Sequence, residues 1–354
     1  MKIDKSRIRG ISKVEMNCYT LGPFLVHGNY AEGEFDVPLI TAEAPLVLAV
    51  NRGRSVVYLA GGVGVEILKD EMTRAPLITT FSHDTALRLS GYIKRYFKEL
   101  KKVAESTTRF GKLTSIDPKV CGSDLYLRIG MSCGDAAGHN ITEKAAIAIS
   151  KHLEDIPEFK GSVYLFSISS NYDTDKKPSR VNLVEGRGKW VKAKAKISRE
   201  IVEKKFRTLP ETIVELNYKK NVIGSRLAGT LGGCNSHYAN MVAAVFLATG
   251  QDVANVVEGS MGFTTAECTD SGDLLFGIEM PCLICGTIGG GIDVPYAQAN
   301  LERMRCAGGG NPSGSNAKKF AEVIAAVVCA GELSTMAELT KGGEFIKAHL
   351  EMER

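Results

Sequence analysis

Residues 124–153 read "DLYLRIGMSCGDAAGHNITEKAAIAISKHL". An apolar run with strand character (124–131) passes through a glycine-bearing turn (134–140) into a segment with helical spacing (140–153). A strand, a tight turn and a helix in that order form a natural place for a nucleotide. Yet no G-x-G-x-x-G and no G-x-x-x-x-G-K-[ST] occurs in the chain, so a dinucleotide bound here would not use the usual Rossmann turn. Asn140, with Glu143 three positions on, has the arrangement of a capping box and predicts a helix that opens at Asn140. The first amides of that helix are unpaired donors at the positive end of its dipole, which suits a pyrophosphate. The plainer alternative for "GDAAGHN" is turn geometry alone.

Working outward, "DTALRLSGYIKRYFKELKKVAEST" (84–107) carries apolar residues at helical spacing with lysines outside, and "SVYLFSIS" (162–169) reads as a strand. Residues 77–167 therefore form one helix–strand–helix–strand block, a compact unit inserted in the chain. Around it, strands are predicted at "SVVYLA" (55–60), "WVKAKAKIS" (190–198), "LLFGIEM" (274–280) and "CLICGTIG" (282–289). "WVKAKAKIS" alternates strictly, a half-exposed strand with lysines on one face. Helices are predicted at 237–252 and 316–339; both are apolar nearly all round and belong in a core. Strands and helices mix without regular alternation, which gives an α+β class rather than a doubly wound sheet. A length of 354 residues is enough for two domains, one inserted in the other.

Composition narrows the function classes. The net charge of +4 is too small to argue for nucleic acid and fits local basic pockets for anions. Nine scattered cysteines and an N-terminus without an apolar signal core predict reduced thiols in the cytoplasm. The one C-x-x-C, Cys282 to Cys285, has no second pair and no nearby histidine, so no metal site is expected. The longest apolar runs are read as too short for a membrane span.

Several ionisable residues stand out. Glu43 lies in "PLITAEAPLVLAV"; if buried, its carboxyl would hold a proton and suit a general acid, whereas at a strand edge it would face solvent. Asp252 follows the predicted buried helix in "LATGQD", either a functional carboxylate or a C-terminal turn residue. His237 and Asn240 fall three apart near the start of that helix, His237 being read otherwise as a cap. "CGTIGGGID" (285–293) lets backbone approach a ligand or another strand closely. "ISSNYDTDKK" (168–177) sets Lys176 and Lys177 behind Asp173 and Asp175 and stops at Pro178; alone it reads as a solvated turn.

Together these segments resemble 3-hydroxy-3-methylglutaryl-coenzyme A reductases, and most closely the catalytic domain of the class found in eukaryotes and archaea. The resemblance runs from about residue 36 to 349. It is carried by "NYDTDKKPSRVNLVEGRGK" (171–189), "KNVIGSRLAGTLGGCNSHYANMVAAVFLATGQD" (220–252) and "GTIGGGI" (286–292), with "MTRAP" (72–76) and "ESTTRFGKL" (105–113).

The resemblance implies a reaction in which two hydrides take a thioester to an alcohol. It implies four reacting residues, Glu43, Lys176, Asp252 and His349, and a substrate set of Arg74, Ser169, Lys177, Lys220, His237 and Asn240. It implies a cofactor set of Arg109, Asp135, Gly138, Asn140, Gly289 and Gly290, with NADPH favoured and NADH the alternative. The implied partners are 3-hydroxy-3-methylglutaryl-coenzyme A and a second copy of the chain, in a dimer or tetramer whose active site lies between subunits. No nucleic acid and no membrane is implied. The implied architecture is a large substrate- and coenzyme A-binding domain (1–75 and 169–354) with a smaller ferredoxin-like cofactor domain (76–168) inserted. The sequence departs from the family at "ITAEAP", where the usual Thr-Thr-Glu-Gly is altered. The usual Asp-Ala-Met-Gly-Met-Asn reads "DAAGHN", and residues 12–28 have lost most of the family pattern. The function expected is mevalonate-forming reduction. The alternatives are a paralogue acting on another acyl-coenzyme A thioester and a non-catalytic binding or assembly homologue.

Overall fold

A computed structural model describes residues 14–342. Eleven strands join in one sheet among them. They are β1 (Cys18–His27), β2 (Glu32–Ile40), β3 (Val63–Arg74), β4 (Leu77–Thr80), β5 (Lys112–Cys121) and β6 (Asp124–Ser132), then β7 (Val163–Ser167), β8 (Gly188–Ile197), β9 (Gly233–Cys234), β10 (Gly262–Cys268) and β11 (Leu274–Leu283). The mixed α+β class read from the sequence is what the chain adopts.

The long strand β3 joins two regions. Residues 64–71 pair antiparallel with β8, while 72–74 pair with β6. On one side the order runs β3-β8-β11-β10-β9, with β1 and β2 at the margin; on the other it runs β7-β4-β6-β5. Each side has its own apolar cluster. The larger surrounds the helix Ser315–Leu339. The smaller, with Leu89, Leu125, Ile129 and Ile149, lies between the second group of strands and the helices His83–Arg95, Phe97–Glu105 and His139–Asp155.

β8 shows how pattern becomes structure. Val191, Ala193, Ala195 and Ile197 are buried, and the lysines between them point outward. Lys192 and Lys196 then meet Glu279 at 3.2 Å and Asp273 at 3.3 Å across the ladder with β11. The helix Ser315–Leu339 is long and apolar enough to cross a membrane, contrary to the reading of the apolar runs as too short. Its whole apolar window is nevertheless buried inside the protein, as a core helix requires.

Further expectations are corrected, among them the predicted strand 282–289, since β11 already ends at Leu283. "SVVYLA" is not a strand but the end of the helix Ala44–Leu59. Val50, Val56 and Val57 are buried in the larger cluster, so packing overrides the β-branched propensity. Gly53 allows the close helix contact, since a Cβ there would meet the Ala330 carbonyl at 1.9 Å. The predicted helix 84–107 breaks at Tyr96, where φ is −102° and ψ 29°. The capping box at Asn140 does not form. The helix begins at His139 behind Gly138, whose φ is 104°, and Glu143 turns instead to Arg74 at 2.9 Å.

Candidate active site

Lys176 sits in the irregular segment between β7 and the helix Arg180–Glu185. Of the five described non-glycine residues with positive φ, three lie here: Asn171, Thr174 and Lys176, at 63°, 50° and 56°. Left-handed backbone costs a side-chain-bearing residue about 1–2 kcal/mol, so surrounding contacts must hold it. Asn182 donates from Nδ2 to the Asp173 and Thr174 carbonyls, each at 3.1 Å. The Lys176 amide donates to the Glu258 carboxylate at 3.0 Å. Glu258 is fully buried and also takes Arg187 Nη1 at 2.8 Å and Asn255 Nδ2 at 3.0 Å. Arg187 in turn faces Asp175 at 2.9 Å.

The result is a lysine presented at a fixed place. Its Nζ lies 2.7 Å from Asp252 Oδ2. Asp252 opens a short helical turn, its Oδ1 accepting the Ala254 amide at 3.0 Å. Partial burial works against the Asp252 carboxylate, but the Lys176 hydrogen bond and the Ala254 amide outweigh it and hold its pKa below the ordinary value. The Asp252 hydrogen bond raises that of Lys176. Both groups are therefore charged near neutrality.

Asp252 also lines a cleft of about 230 Å³ between the two glycine turns. One wall carries Gly138, His139 and Asn140, the other Gly289 and Gly290. A bridge between Ala136 and Ile288 joins the turns. Gly289 and Gly290 have φ of 83° and 61° with open space where a Cβ would stand, an exposed backbone free for close approach. Asp135 lies behind this surface. Its buried carboxylate accepts the Gly310, Gly314 and Ala317 amides at 2.9, 2.7 and 3.0 Å, so it fastens the turn to the start of the helix Ser315–Leu339. Beside the cleft, a second hollow of about 400 Å³ is lined by Arg109, Lys144, Ser106, Thr107, Thr108 and Asn140. Two cations among hydroxyls are a lining suited to an anion.

A second group gathers elsewhere. Asn240 Nδ2 donates to Glu43 Oε2 at 3.2 Å. Burial lowers the pKa of His237, on which Glu332, Lys220 and Glu43 also act. Glu332 is fully buried and accepts the Ser236 and His237 amides at 2.6 and 3.1 Å and the Thr264 hydroxyl at 2.7 Å. Glu43 itself is exposed at the start of the helix Ala44–Leu59, so of its two readings the solvent-facing one holds, at a helix start rather than a strand edge. Asn240 and Asp252 stand at opposite ends of the helix Tyr238–Ala248. About 12 Å of helix runs between Asn240 and the last helical residue, Ala248, and Asp252 follows four residues later.

The remaining expected residues fall as follows. Arg74 is mostly buried and already paired with Glu143 and with Asp173, the latter at 3.3 Å. Lys177 is exposed and donates to the Asp175 carbonyl at 3.2 Å. Ser169 closes a small turn with Ser167, accepting its hydroxyl at 2.9 Å. His349 lies outside the described residues. Cys282 and Cys285 are buried with their pKa values pushed up to about 12 and about 11, and no metal-binding cluster occurs among the described residues.

The family model described as hydroxymethylglutaryl-coenzyme A reductase matches residues 10–354. The chain belongs to the hydroxymethylglutaryl-coenzyme A reductase family. A 3-hydroxy-3-methylglutaryl-coenzyme A reductase of Pyrococcus abyssi is 48% identical over 330 residues, covering 93% of this chain and 80% of the relative. A reductase of the same name from Methanocaldococcus jannaschii is 41% identical over 359 residues, covering 100% of this chain and 86% of the relative. The class II reductase of Streptococcus pneumoniae, solved with NADPH in open conformations, has the same fold, with a TM-score of 0.73 at 18% identity over 95% of this chain and 88% of that one.

Sequence reasoning missed the buried supports of this candidate site: Arg187, Glu258 and Glu332. Glu332 did carry a signal, a lone carboxylate in the apolar run "AAVVCAGELSTMA". Glu258, the only charged residue in "VANVVEGSMGF", carried the same signal, whereas Arg187, among glycines and charged neighbours, carried none.

Proposed function

We propose that this chain reduces 3-hydroxy-3-methylglutaryl-coenzyme A to mevalonate and free coenzyme A, consuming two NADPH. The observation that carries the reading is the Lys176–Asp252 pair at 2.7 Å, with Asp252 on the cleft between two glycine turns, in a chain of this family. The residues fit a dinucleotide. The Gly289–Gly290 backbone is open to it, the 17-residue helix His139–Asp155 offers its first amides, and Arg109 with Lys144 supplies charge for a 2′-phosphate. NADPH, when bound, supplies hydride.

Lys176 faces the carbonyl oxygen, where each hydride addition places negative charge, and its ammonium stabilises that charge. Asp252 keeps the ammonium charged and aimed. Glu43 donates a proton to oxygen, and Asn240 orients it. The free carboxylate of the substrate is met by Lys177 and Lys220, with Ser169 and the compensated Arg74 behind them. His349 protonates the departing thiolate, which blocks its return.

The site is shared by two copies of the chain. Within one copy the Glu43–Asn240 corner stands at the start of the helix Tyr238–Ala248, and the Lys176–Asp252 pair follows its end. A partner brings its own corner to the pair. Exposed Leu227, Leu231, Val253 and Val257 lie beside these two groups in sequence and supply apolar area for the contact. Residues 76–168 act as an inserted cofactor domain of ferredoxin-like type. The strand order β7-β4-β6-β5, the connecting helices and the separate apolar cluster support that assignment. The nine unpaired cysteines support a reducing, cytoplasmic setting.

The test is stoichiometry. Purified protein given 3-hydroxy-3-methylglutaryl-coenzyme A should oxidise two NADPH for each thiol released and yield mevalonate. Cofactor oxidation that stops at an aldehyde, or turnover only with another acyl-coenzyme A, contradicts the assignment.

A further inference from the structure

His139 stands at the junction of the cofactor turn and the lysine loop. It is the first residue of the helix His139–Asp155 and lines the cleft with Asp252. Its Nε2 is shielded from solvent and has no hydrogen-bond partner among the described residues. The nearest acid is Asp175, whose Oδ1 lies 3.6 Å away. That is too long for a formed hydrogen bond and short enough for strong attraction between charges.

Asp175 is not an isolated surface acid. It precedes Lys176 in the left-handed segment and faces Arg187, which grips Glu258, which accepts the Lys176 amide. Asp175 is therefore joined to Lys176 both along the chain and through this relay of contacts. We propose that His139 is a positioning residue, its imidazole linking the dinucleotide turn to Asp175 so that binding at the turn and the orientation of Lys176 are coupled. This rests on the reading of the turn as the cofactor site.

The charges facing the imidazole are few. Asp175 comes from the lysine loop, with Arg187 behind it. Asp252 comes from across the cleft, carrying Lys176. Glu143, one turn along the same helix, is occupied by Arg74. The two nearest partners are thus anionic. A protonated His139 draws Asp175 in and adds positive charge where the dinucleotide phosphates arrive. Reduced cofactor should bind more tightly as the imidazole gains its proton.

The experiment is a titration of NADPH into the full chain, read by nicotinamide fluorescence between about pH 8 and pH 6. Native protein, His139→Gln, His139→Met and Asp175→Asn are compared, together with the double variant His139→Gln/Asp175→Asn. Binding to the native protein should tighten toward low pH by about fivefold more than to either His139 variant, since both keep the cofactor phosphate and the other histidines in common with it. The His139→Gln and Asp175→Asn losses should be strongly non-additive. His139→Met restores the residue of the family's turn, so its thermal midpoint should stay near native and keep the comparison valid if Gln misfolds. Equal pH profiles in native and variant proteins, or additive losses, overturn the link. Native protein that binds no NADPH overturns the cofactor reading as well.

Discussion

At the scale of single residues, the account turns on charge held in place. Lys176 and Asp252 support each other's ionised forms, and Asp175 is held well below the ordinary carboxylate range. For Asp175, burial opposes ionisation, but His139 and Arg187 outweigh it. A carboxylate depressed in the folded state stabilises the protein above its unfolded pKa and loses that contribution as pH falls through the folded value. The melting temperature of Asp175→Asn should therefore lie below native at neutral pH and converge on it from about pH 4 downward. Parallel curves across the acid range would show that Asp175 contributes nothing of this kind. Lys176→Ala should cut turnover by about a hundredfold or more while the circular dichroism spectrum stays native; near-native turnover would remove its role. Most of these residues were legible as motif positions, but their supports were not. A lone carboxylate among apolar letters left Glu43 open between buried and solvent-facing, and it is exposed, whereas the same pattern at Glu332 marks a fully buried group. Sequence does not say which face of an apolar run meets the core.

At the scale of elements, two devices position the chemistry. The first is the turn at 134–140. A Cβ on Gly138 would stand 2.7 Å from Cys133 Sγ, on backbone at φ 104°. Gly138→Ala should cost about 1–2 kcal/mol in denaturant unfolding and weaken NADPH binding. An unchanged midpoint would mean that the turn relaxes freely. The second is the buried carboxylate of Glu332 in the core helix, which anchors the start of the helix Tyr238–Ala248. Glu332→Ala leaves three donors without their acceptor and should destabilise by about 3 kcal/mol. The strongly periodic elements, β8 and the two apolar helices, were legible because burial follows their pattern. β1 to β5 were not foreseen. β3 mixes exposed and buried positions while passing from one cluster to the other, and the capping box at Asn140 gave way to Arg74, a partner remote in sequence.

At the scale of the whole molecule, the proposed shared site rests on the Glu43–Asn240 corner standing at the start of the helix Tyr238–Ala248 and the Lys176–Asp252 pair following its end. The sequence hinted at this only through family resemblance, since periodicity and composition carry no information about which copy supplies a side chain. A catalytic oligomer should run as a dimer or larger by light scattering and lose specific activity on dilution as it dissociates; full activity in a monomer would contradict a shared site. The most direct test is complementation between two inactive proteins, Lys176→Ala and Glu43→Gln, unfolded or dissociated together and reassembled. A hybrid in which each site takes its lysine from one chain and its glutamate from the other holds one intact site and one doubly damaged site. Random reassortment should then restore about a quarter of native turnover. Hybrids that form and stay inactive would mean that both residues of a site come from the same chain.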